Sequence, residues 1–459
     1  MLDEPRLDSV RAQLAGTFAS IAAGLASPSL VTLPVPHSAF QGAEAPERIG
    51  LLRAATVIWR PAGSETVLAG FGREMRLHGP RDSSLHEAAR VLRDATALPR
   101  LDTAGGRARP AFFGGARFVA GGSMRDPAWD PFGGWAFVLP RLLLAITGET
   151  VEGSVTLRLE PRMSRAAIEE KLAGDPPDRP PAQLVRPAWP AESPGADWCA
   201  VVSSAIDEIA EGRYQKVVLA RTADVQRDGD IDEGVVLDRL AARYGGCYVF
   251  KIAQAGSAWL GATPELLCRV RGGTVSTVAL AGSVPRGGDP ESDDVLAARL
   301  LSDAKERREH AFVVQALREG LAPFCSALDI PAEPEILRVA NIQHLRTPIN
   351  GQLHHSEDVL TVVAALHPSP AVGGSPRAEA VAAIDRLEGI DRGWYAGPIG
   401  RLGLDGDGEF AVGLRSGLIR GATARFYAGA GIVQGSDPER EYAETETKFR
   451  PLREAVDGL

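Results

Sequence analysis

The chain has 459 residues, of which 44% are hydrophobic and 24% charged, a balance typical of a soluble globular protein with a sizeable core. Its formal net charge of −9 argues against nucleic acid or an anionic membrane as the main partner. The cysteines at 199, 247, 268 and 325 have no C-x-x-C spacing, which argues against a zinc site or a disulfide framework. A small anionic partner would therefore need a local site, because the global field does not attract it.

The N-terminal segment does not resemble a targeting signal. Residues 1–14 carry acidic residues where a signal peptide would carry lysines before an apolar run. The apolar stretch near 15–33 is interrupted by serine and proline and is too weak to span a bilayer. We therefore expect a cytoplasmic protein with no membrane partner.

Short strands dominate the first third of the chain. They are predicted at 55–59, 116–122, 134–147 and 155–160, with one helix at about 84–98 between the first two. A run at about 173–195 holds seven prolines, which cannot sit inside helices or central strands and so predict a connector. The chain is thereby divided into an N-terminal part, 1–190, that completes the fold and a second region at 195–455.

The second region has a sharper pattern. An amphipathic helix is predicted at 196–213, strands at 216–221, 246–253 and 276–282, and a long helix at about 292–321. Segments 408–421 and 423–433 alternate well enough to predict an antiparallel hairpin, and 403–408 fits a hairpin turn. Runs of strands with long helices between them indicate an α+β fold built around extended antiparallel sheets.

A glycine-rich stretch followed by a helix start is the most informative local feature. Residues 428–433 read AGAGIV, after which Ser436 can cap free backbone N–H groups and Pro438 suits the first helical turn. Glu441, Glu444 and Lys448 then follow at i, i+3 and i+7, on one helix face. The paired carboxylates repel each other, which a Mg²⁺ ion with oxygen ligands would relieve. The alternative is a solvated helix with an ordinary i, i+4 pair between Glu444 and Lys448.

Other short blocks place polar residues at the ends of apolar segments. Lys216 starts the strand KVVLAR, and Glu265 lies in a tight turn before apolar residues. Each has a simpler interpretation on its own: an exposed lysine that guards a strand edge, and a turn residue. The blocks, in chain order, are YQKVVLAR (214–221), GATPELL (261–267), ALAGS (279–283), KERREH (305–310), QHL (343–345), LHPSPAVGG (366–374) and DRGWYAGP (391–398).

In this order and spacing the blocks resemble the chorismate-binding family, which contains isochorismate, salicylate, aminodeoxychorismate and anthranilate synthases. The resemblance runs from about 196 to 455. It implies one large domain with two antiparallel sheets facing each other, flanking helices, and the site in the cleft. The proline-rich run would then be a crossover within that domain. It also implies chorismate as substrate, no organic cofactor, and a monomer.

The resemblance further implies how ligands would be held. Mg²⁺ would bridge Glu309 and Glu444 to the ring carboxylate, with Glu306 and Glu441 in the same carboxylate set. The backbone amides of Gly429, Ala430 and Gly431, with Arg415 and Lys448, would hold the carboxylates of ring and side chain, and arginine offers the bidentate fork that a carboxylate fits. The remaining substrate-binding positions implied by the family pattern are Gly282, Ser283, His344, Ala371, Tyr395 and Leu414.

The family pattern also assigns the proton transfers. Water would add at ring C2 and the hydroxyl would leave from ring C4, with Lys216 as base and Glu265 as acid. Lys216 must then be neutral and Glu265 protonated near pH 7, and burial shifts both in that direction. His367 is interpreted as a rigid-turn residue beside Pro368, not as a site residue.

Two positions separate the family members. Relatives that use ammonia carry glutamine at the position of Lys216, so lysine favours water as the nucleophile. Salicylate synthases, which also eliminate pyruvate, carry threonine at the position of Ala371. The sequence therefore predicts an isochorismate synthase, most similar to those of menaquinone synthesis. The alternatives are a siderophore-pathway isochorismate synthase, a salicylate synthase, and a non-catalytic chorismate-binding subunit.

Overall fold

The computed structural model of the protein describes residues 4–36, 39, 47–174, 195–338, 342–354 and 357–458. The proline-rich run at 173–195 falls almost wholly outside these residues, so its role as a connector stays a prediction. No helix among the described residues is long and apolar enough to cross a membrane.

Several of the described helices begin at a polar residue whose side chain caps free backbone amides. In the helix at 85–96, for example, Ser84 accepts a hydrogen bond from the Glu87 amide, and Leu92 packs inward. The helices are α1 (Glu4–Gly24), α2 (Glu47–Ala54), α3 (Leu85–Thr96), α4 (Arg165–Ala173), α5 (Gly195–Ala210), α6 (Glu233–Arg243), α7 (Pro290–Ser302), α8 (Ala304–Leu321), α9 (Val359–Leu366), α10 (Arg377–Leu387) and α11 (Pro438–Asp457).

The strands are rich in Val, Leu, Ile and aromatic residues, and many are buried on both faces. They are β1 (Ser29–Pro34), β2 (Val57–Arg60), β3 (Thr66–Phe71), β4 (Met75–Gly79), β5 (Arg100–Asp102), β6 (Ala111–Ala116), β7 (Trp135–Leu139), β8 (Leu142–Thr147), β9 (Thr150–Leu159), β10 (Lys216–Gln226), β11 (Tyr248–Gln254), β12 (Ser257–Thr263), β13 (Leu266–Arg271), β14 (Thr274–Pro285), β15 (Cys325–Asp329), β16 (Glu335–Arg338), β17 (Ile342–Leu353), β18 (Gly374–Ser375), β19 (Pro398–Gly403), β20 (Gly408–Val412), β21 (Ser416–Arg420) and β22 (Thr423–Val433).

Two large sheets form the framework. Sheet A has twelve strands in the order β18-β10-β22-β21-β12-β11-β2-β3-β8-β9-β1-β5. Sheet B has ten, in the order β15-β17-β14-β13-β20-β19-β6-β7-β4, with β16 paired to β17. The pairing is antiparallel apart from β1 with β5. Both sheets contain strands from before and after the proline-rich run, and the predicted α+β fold with large antiparallel sheets is confirmed.

Two of the points at which the chain crosses between the sheets are neighbours. The first crossing is at 264–265, between β12 in sheet A and β13 in sheet B. The second is at 413–415, between β20 in sheet B and β21 in sheet A. The segment 408–421, predicted as one strand of a hairpin, is therefore two strands in different sheets. The predicted hairpin exists, but it joins β21 to β22.

The long helix predicted at about 292–321 is wrong, because the chain forms two helices there. Asp303 has an extended backbone at the end of α7. Its side chain then accepts a hydrogen bond from the Glu306 amide at 3.1 Å, as an N-cap does. One aspartate thus ends α7 and begins α8, which gives α8 its own direction.

Three smaller predictions also differ from the structure. The strand predicted at 116–122 ends at Ala116, and the segment 134–147 forms two strands separated by Pro140, which has no amide to donate. The start of α11 is capped by Asp437, whose carboxylate accepts hydrogen bonds from the next residues. Ser436, the predicted cap, instead accepts a hydrogen bond from the Val433 amide.

Aromatic side chains fill part of the main core. Trp129 is fully buried and packs edge-on against Trp259, with ring centroids 4.9 Å apart. Its indole nitrogen donates to the hydroxyl of Tyr427 at 2.9 Å. Tyr427 in turn lies stacked on Tyr395, with centroids 5.3 Å apart. This cluster supports one wall of the cavity described next.

Candidate active site

The two crossings between the sheets bring polar residues to one place. Glu265 lies in the first crossing and Arg415 in the second. The crossings are joined directly, because the Val412 amide donates to the Glu265 carbonyl at 3.0 Å. Arg415 has a positive φ of 46°, a conformation that costs energy for a non-glycine residue. Its carbonyl accepts a hydrogen bond from Ala262, which fixes the turn.

Lys216 enters the same region from the start of β10. In sheet A, β10 pairs with β22 so that Val218 lies opposite Gly431. A Cβ added to Gly431 would lie 3.2 Å from Cε of Lys216, so the lysine side chain passes over this glycine. The glycine-rich sequence of β22 therefore leaves room for a lysine on the face of the sheet.

Backbone alternation decides which β22 amides face the cavity. The amides of Val218 and Ala220 donate away from β22, to Gly373 and to Glu388. In an antiparallel pair, the β10 residues between them then bond to β22, and Leu219 lies opposite Ala430. The Ala430 amide is thus directed at β10, contrary to the donor role implied for it, and its side chain is buried.

The neighbouring glycines have the opposite orientation. Beyond Tyr427 the strand β22 has no pairing with β21, so the backbone groups of Gly429 and Gly431 open onto the cavity. Lys448 confirms this direction, because its Nζ donates to the Gly429 carbonyl at 2.8 Å. Lys448 also lies 2.7 Å from the carboxylate of Glu444, one helical turn earlier.

Two helices carry the predicted carboxylate pairs. On α11, burial raises the pKa of Glu441, and the negative charge of Glu444 raises it further, whereas a hydrogen bond with Ser436 lowers it. On α8, Glu306 lies against Gly282, because a Cβ added to that glycine would come 3.1 Å from the Glu306 carboxylate. Glu309, on the same helix, is close enough for its charge to act on Lys216.

Gly282 forms a bulge in β14 and anchors α8. It has a φ of 76°, and the register of β14 with β17 shifts between Ala281 and Ser283. His310 of α8 is buried beside this bulge and hydrogen-bonds the Thr347 hydroxyl at 2.7 Å.

His344 lies opposite Ser283 in the ladder, and burial lowers the pKa of its imidazole. The side chain of Ser283 lies outside the described part of the chain.

A cavity of about 160 Å³ lies between the second crossing, the glycines of β22 and Lys448, with Pro264 beside Glu265 also in its lining. Arg415 lines it and also hydrogen-bonds Cys247, a buried residue that the sequence did not single out. Tyr395 lines it beside Gly429, and burial raises the pKa of its hydroxyl. The sequence-predicted residues that line the cavity are Ala371, Tyr395, Leu414, Arg415, Gly429, Gly431 and Lys448.

A buried ion pair behind the cavity was missed by sequence reasoning. Arg392 donates to Glu388 at 2.8 Å and to the carbonyls of Val218 and Val372 at 2.6 and 3.1 Å. Glu388 also accepts from the Ala220 amide at 2.7 Å. The pair therefore ties β10 to the turn that contains Ala371. In the sequence it resembles an ordinary i, i+4 surface pair, so only its position within the block 391–398 could have drawn attention to it.

The proposed acid and base perturb each other. Burial lowers the pKa of Lys216, and the charge of Lys448 lowers it further, whereas the charges of Glu309 and Glu265 raise it. Burial raises the pKa of Glu265 to about 7, and the charges of Lys216 and Lys448 oppose this. Both shifts favour the neutral forms, and such shifts cluster at functional sites. His367 differs, because it is buried in a turn and bonds the Phe118 carbonyl at 2.8 Å.

The carboxylates fit Mg²⁺ only if water and substrate oxygens supply the remaining ligands. Among the described residues no group of three or more metal-ligating side chains is close enough to hold an ion alone. Mg²⁺, however, is usually bound by one or two carboxylates with water and substrate oxygens. Glu309 beside Lys216 and Glu444 beside Lys448 supply hard oxygen donors of this kind. The donor set therefore fits Mg²⁺ when an anionic substrate completes it.

Residues 24–457 match the family of chorismate binding enzymes. The isochorismate synthase MenF of Bacillus subtilis is 38% identical over 354 residues, which cover 76% of this chain and 75% of that protein. The salicylate biosynthesis isochorismate synthase of Pseudomonas aeruginosa is 44% identical over 262 residues, which cover 57% of this chain and 55% of that protein. The solved structure of MenF, the menaquinone-specific isochorismate synthase from Escherichia coli, has a TM-score of 0.75 and 28% identity, covering 98% of this chain and 100% of that one.

Proposed function

The chain belongs to the chorismate-binding enzyme family, and from this premise we propose that it is an isochorismate synthase. The observation that carries the proposal is the mutual placement of Lys216 and Glu265. Each is half-buried, each has its pKa shifted towards the neutral form, and each is within reach of the other's charge. Addition of water and loss of hydroxyl require such a base and acid in one site. The presence of both speaks against a non-catalytic subunit.

In the proposed reaction, neutral Lys216 takes a proton from water as the oxygen bonds to ring C2. The ring double bonds shift, and the C4–O bond breaks as Glu265 gives its proton to the departing hydroxyl, which leaves as water. One water enters and one leaves, so substrate and product are isomers. The lysine ends protonated and the glutamate ionised, and exchange with solvent resets them. General acid–base help of this kind is typically worth about 10²–10⁴-fold in rate.

Substrate positioning would fall to donors around the cavity. Arg415 and Lys448 offer cations to the carboxylates of the dianion, and the amides of Gly429 and Gly431 offer neutral donors. Tyr395 offers a hydroxyl that burial keeps protonated. His344 lies outside this wall, near α8, and Ala371 and Leu414 give the ring apolar contacts.

We propose that Glu309 and Glu444 would hold Mg²⁺ together with the ring carboxylate, with Glu306 and Glu441 in the same carboxylate set, some of them through water. When bound, Mg²⁺ would stabilise the negative charge that builds on the conjugated carboxylate. The Glu444–Lys448 ion pair must loosen for Glu444 to serve as a ligand. Lys448 would keep its bond to the Gly429 carbonyl and gain the substrate carboxylate as a partner.

The test is incubation of the purified protein with chorismate, with and without Mg²⁺, followed by proton NMR. Isochorismate that appears only with Mg²⁺, in a final mixture with chorismate, is the expected result. Pyruvate and salicylate would move the assignment to a salicylate synthase and show that Ala371 does not stop the reaction at isochorismate. Tight chorismate binding without any product would point instead to a non-catalytic subunit.

Two pathways remain to be separated. The MenF alignments extend over more of this chain than the salicylate-biosynthesis alignment does, and on that ground we favour menaquinone synthesis. The higher identity of the Pseudomonas protein keeps a siderophore or salicylate pathway as the second candidate. Rescue of menaquinone content in a host lacking its own isochorismate synthases, without secreted catechols or salicylate, would support the first.

The remaining sequence predictions also stand as proposals. We propose a monomer in the cytoplasm, with residues 195–455 as the catalytic region and 1–190 completing the sheets. Size-exclusion chromatography with light scattering tests the monomer directly. A dimer at micromolar concentration would overturn that part of the proposal without touching the chemistry.

A further inference from the structure

A second cleft, of about 660 Å³, opens between the two sheets away from Lys216 and Glu265. It is lined by the loop between β2 and β3, by β5, and by the far ends of β13, β19 and β20. β13 starts beside Glu265 and ends in this cleft at Arg271, so the strand's length separates the two sites. At about 3.3 Å per residue that separation is roughly 17 Å.

The cleft is positive although the chain as a whole is negative. Six arginines line it, against four carboxylates, whereas the net charge of the chain is −9. Arg269 is neutralised, because it donates to the buried Glu409 carboxylate at 2.6 Å. Arg107 is held by the Thr147 hydroxyl at 2.9 Å, and Arg100 by the Leu404 carbonyl.

Arg271 and Arg401 form no ion pair with a described residue and, unlike Arg100 and Arg107, no hydrogen bond that holds the guanidinium in place. Arg401 lies opposite Glu409 in the β19–β20 ladder and feels the charges of Glu409 and Asp405, but among the described residues it forms an ion pair with neither. The Nε of Arg401 is buried and has no hydrogen-bond partner in the described part of the chain. Arg271, at the exposed end of β13, makes no ion pair with any described residue, and its charge repels that of Arg401. A buried donor without a partner is costly, and two nearby cations repel each other.

An anion placed between these two side chains would attract both guanidinium groups and reduce their mutual repulsion. Arginine pairs with carboxylate and phosphate through a planar fork, which gives strong and directional hydrogen bonds. Asp407 accepts from the Gly272 amide at 2.8 Å and Asp102 from the Ala104 amide at 3.0 Å. Both keep their negative charge, but with six arginines against four carboxylates the lining still has two positive charges in excess. We propose that this cleft is a second ligand site, which binds a small molecule carrying at least two carboxylate or phosphate charges through Arg271 and Arg401.

The test measures binding to the full-length protein without chorismate or Mg²⁺, so that it does not depend on the proposed reaction. Citrate and inorganic phosphate are titrated separately by calorimetry, in chloride buffer at constant ionic strength. Saturable binding is expected, with the dissociation constant raised about tenfold by Arg271→Gln and by Arg401→Gln. Arg90→Gln, which removes an exposed arginine from α3, is the matched control and should leave binding unchanged.

The two probes separate the possible ligands. Binding of both would show recognition of oxyanion charge in general, and binding of citrate alone would show a site for organic polycarboxylates. Arg271→Gln removes an exposed side chain and keeps the test usable if Arg401→Gln fails to fold. The proposal is overturned if neither probe saturates at millimolar concentration. It is equally overturned if Arg271→Gln binds as tightly as Arg90→Gln, since the anion would then lie elsewhere.

Discussion

The side chain of Lys216 passes directly over Gly431 on the neighbouring strand. A Cβ added to Gly431 would lie 3.2 Å from Cε of Lys216 and 3.7 Å from its Nζ. The contact with Cε is tighter than ordinary packing, so a side chain at this position would shift Lys216 by a few tenths of an ångström. The glycine is therefore a spatial requirement of the proposed base.

Replacing Gly431 with alanine should impair catalysis more than folding. The residue lies in a strand with no positive φ, so alanine fits the backbone and also restricts the unfolded chain. We expect kcat to fall at least about tenfold because the base is displaced, with unfolding free energy changed by less than about 1 kcal/mol. Gly16→Ala, where a Cβ meets nothing within 4 Å, is the control. An unchanged kcat in Gly431→Ala would contradict the prediction, because catalysis would then not depend on the exact position of the Lys216 side chain.

Lys216→Ala should abolish turnover while chorismate still binds. Loss of a general base is expected to cost about 10²–10⁴-fold in kcat. Equilibrium binding of chorismate should change little, because Arg415 and Lys448 remain. Lys216→Arg distinguishes a base from a simple cation, since arginine keeps the charge but cannot give up its proton. Substantial activity in the arginine variant would exclude the role of base.

Glu265→Gln should change how stability depends on pH. Burial raises the pKa of Glu265 to about 7 in the folded protein, so the folded state holds this proton more tightly than the unfolded state does. The wild type therefore loses stability as pH rises from about 4.5 through 7, whereas the glutamine variant does not. Between pH 5 and pH 8, the free energy of unfolding of the wild type should fall by up to about 3 kcal/mol more than that of the glutamine variant.

Denaturant unfolding at several pH values measures this effect. Glu149→Gln, in an exposed turn, is the matched control and should follow the wild type. Parallel curves for wild type and Glu265→Gln would show that the carboxyl titrates normally, and Glu265 could then not serve as an acid near pH 7.

Glu444→Gln should weaken metal binding without disturbing the fold. The side chain is exposed, and the variant keeps its size while losing the negative charge. We expect the Mg²⁺ concentration for half-maximal activity to rise at least about tenfold, as is usual when metal-site groups are altered. Titration with Mn²⁺ followed by electron paramagnetic resonance gives a readout independent of turnover. Glu439→Gln, exposed in the first turn of the same helix, should behave as wild type; equal metal affinities in the two variants would rule out Glu444 as a ligand.

Much of the candidate site could be predicted from sequence because its parts lie on regular elements. The i, i+3, i+7 spacing correctly placed Glu441, Glu444 and Lys448 together on α11. The glycines of β22 were recognised, but which amides face the cavity follows from the strand register, which the sequence does not specify. Ala430 was therefore given a donor role that its orientation does not support.

Long-range features were the ones that sequence reasoning missed. Apolar and polar residues alternate with a period of two along 408–421, and this pattern is the same whichever sheet a strand belongs to. The pattern therefore does not reveal that the chain passes from one sheet to the other at Arg415. The helical period continues through Asp303, whose capping role appears only from its hydrogen bond to Glu306. The charged pair behind the cavity was overlooked because burial, not residue type, distinguishes it from a surface pair.

That pair, Arg392 with Glu388, gives the last prediction. Both side chains are almost fully buried, at 4% and 2% exposure, and removing one partner leaves the other charge unpaired in the core. Arg392→Met should therefore lower the free energy of unfolding by about 3–5 kcal/mol. The exposed i, i+4 pair of Arg165 and Glu169 is the matched comparison, and Arg165→Met should cost less than about 1 kcal/mol.

A double-mutant cycle separates loss of the pair from loss of packing. Adding Glu388→Gln to Arg392→Met removes the stranded carboxylate, so the double variant should be more stable than the sum of the single effects predicts. It should remain poorly active, because the carbonyls of Val218 and Val372 still lack the guanidinium that joins β10 to the turn at Ala371. Strictly additive free energies would show that the two charges do not depend on each other, and wild-type activity in the double variant would show that the cavity wall does not need the arginine.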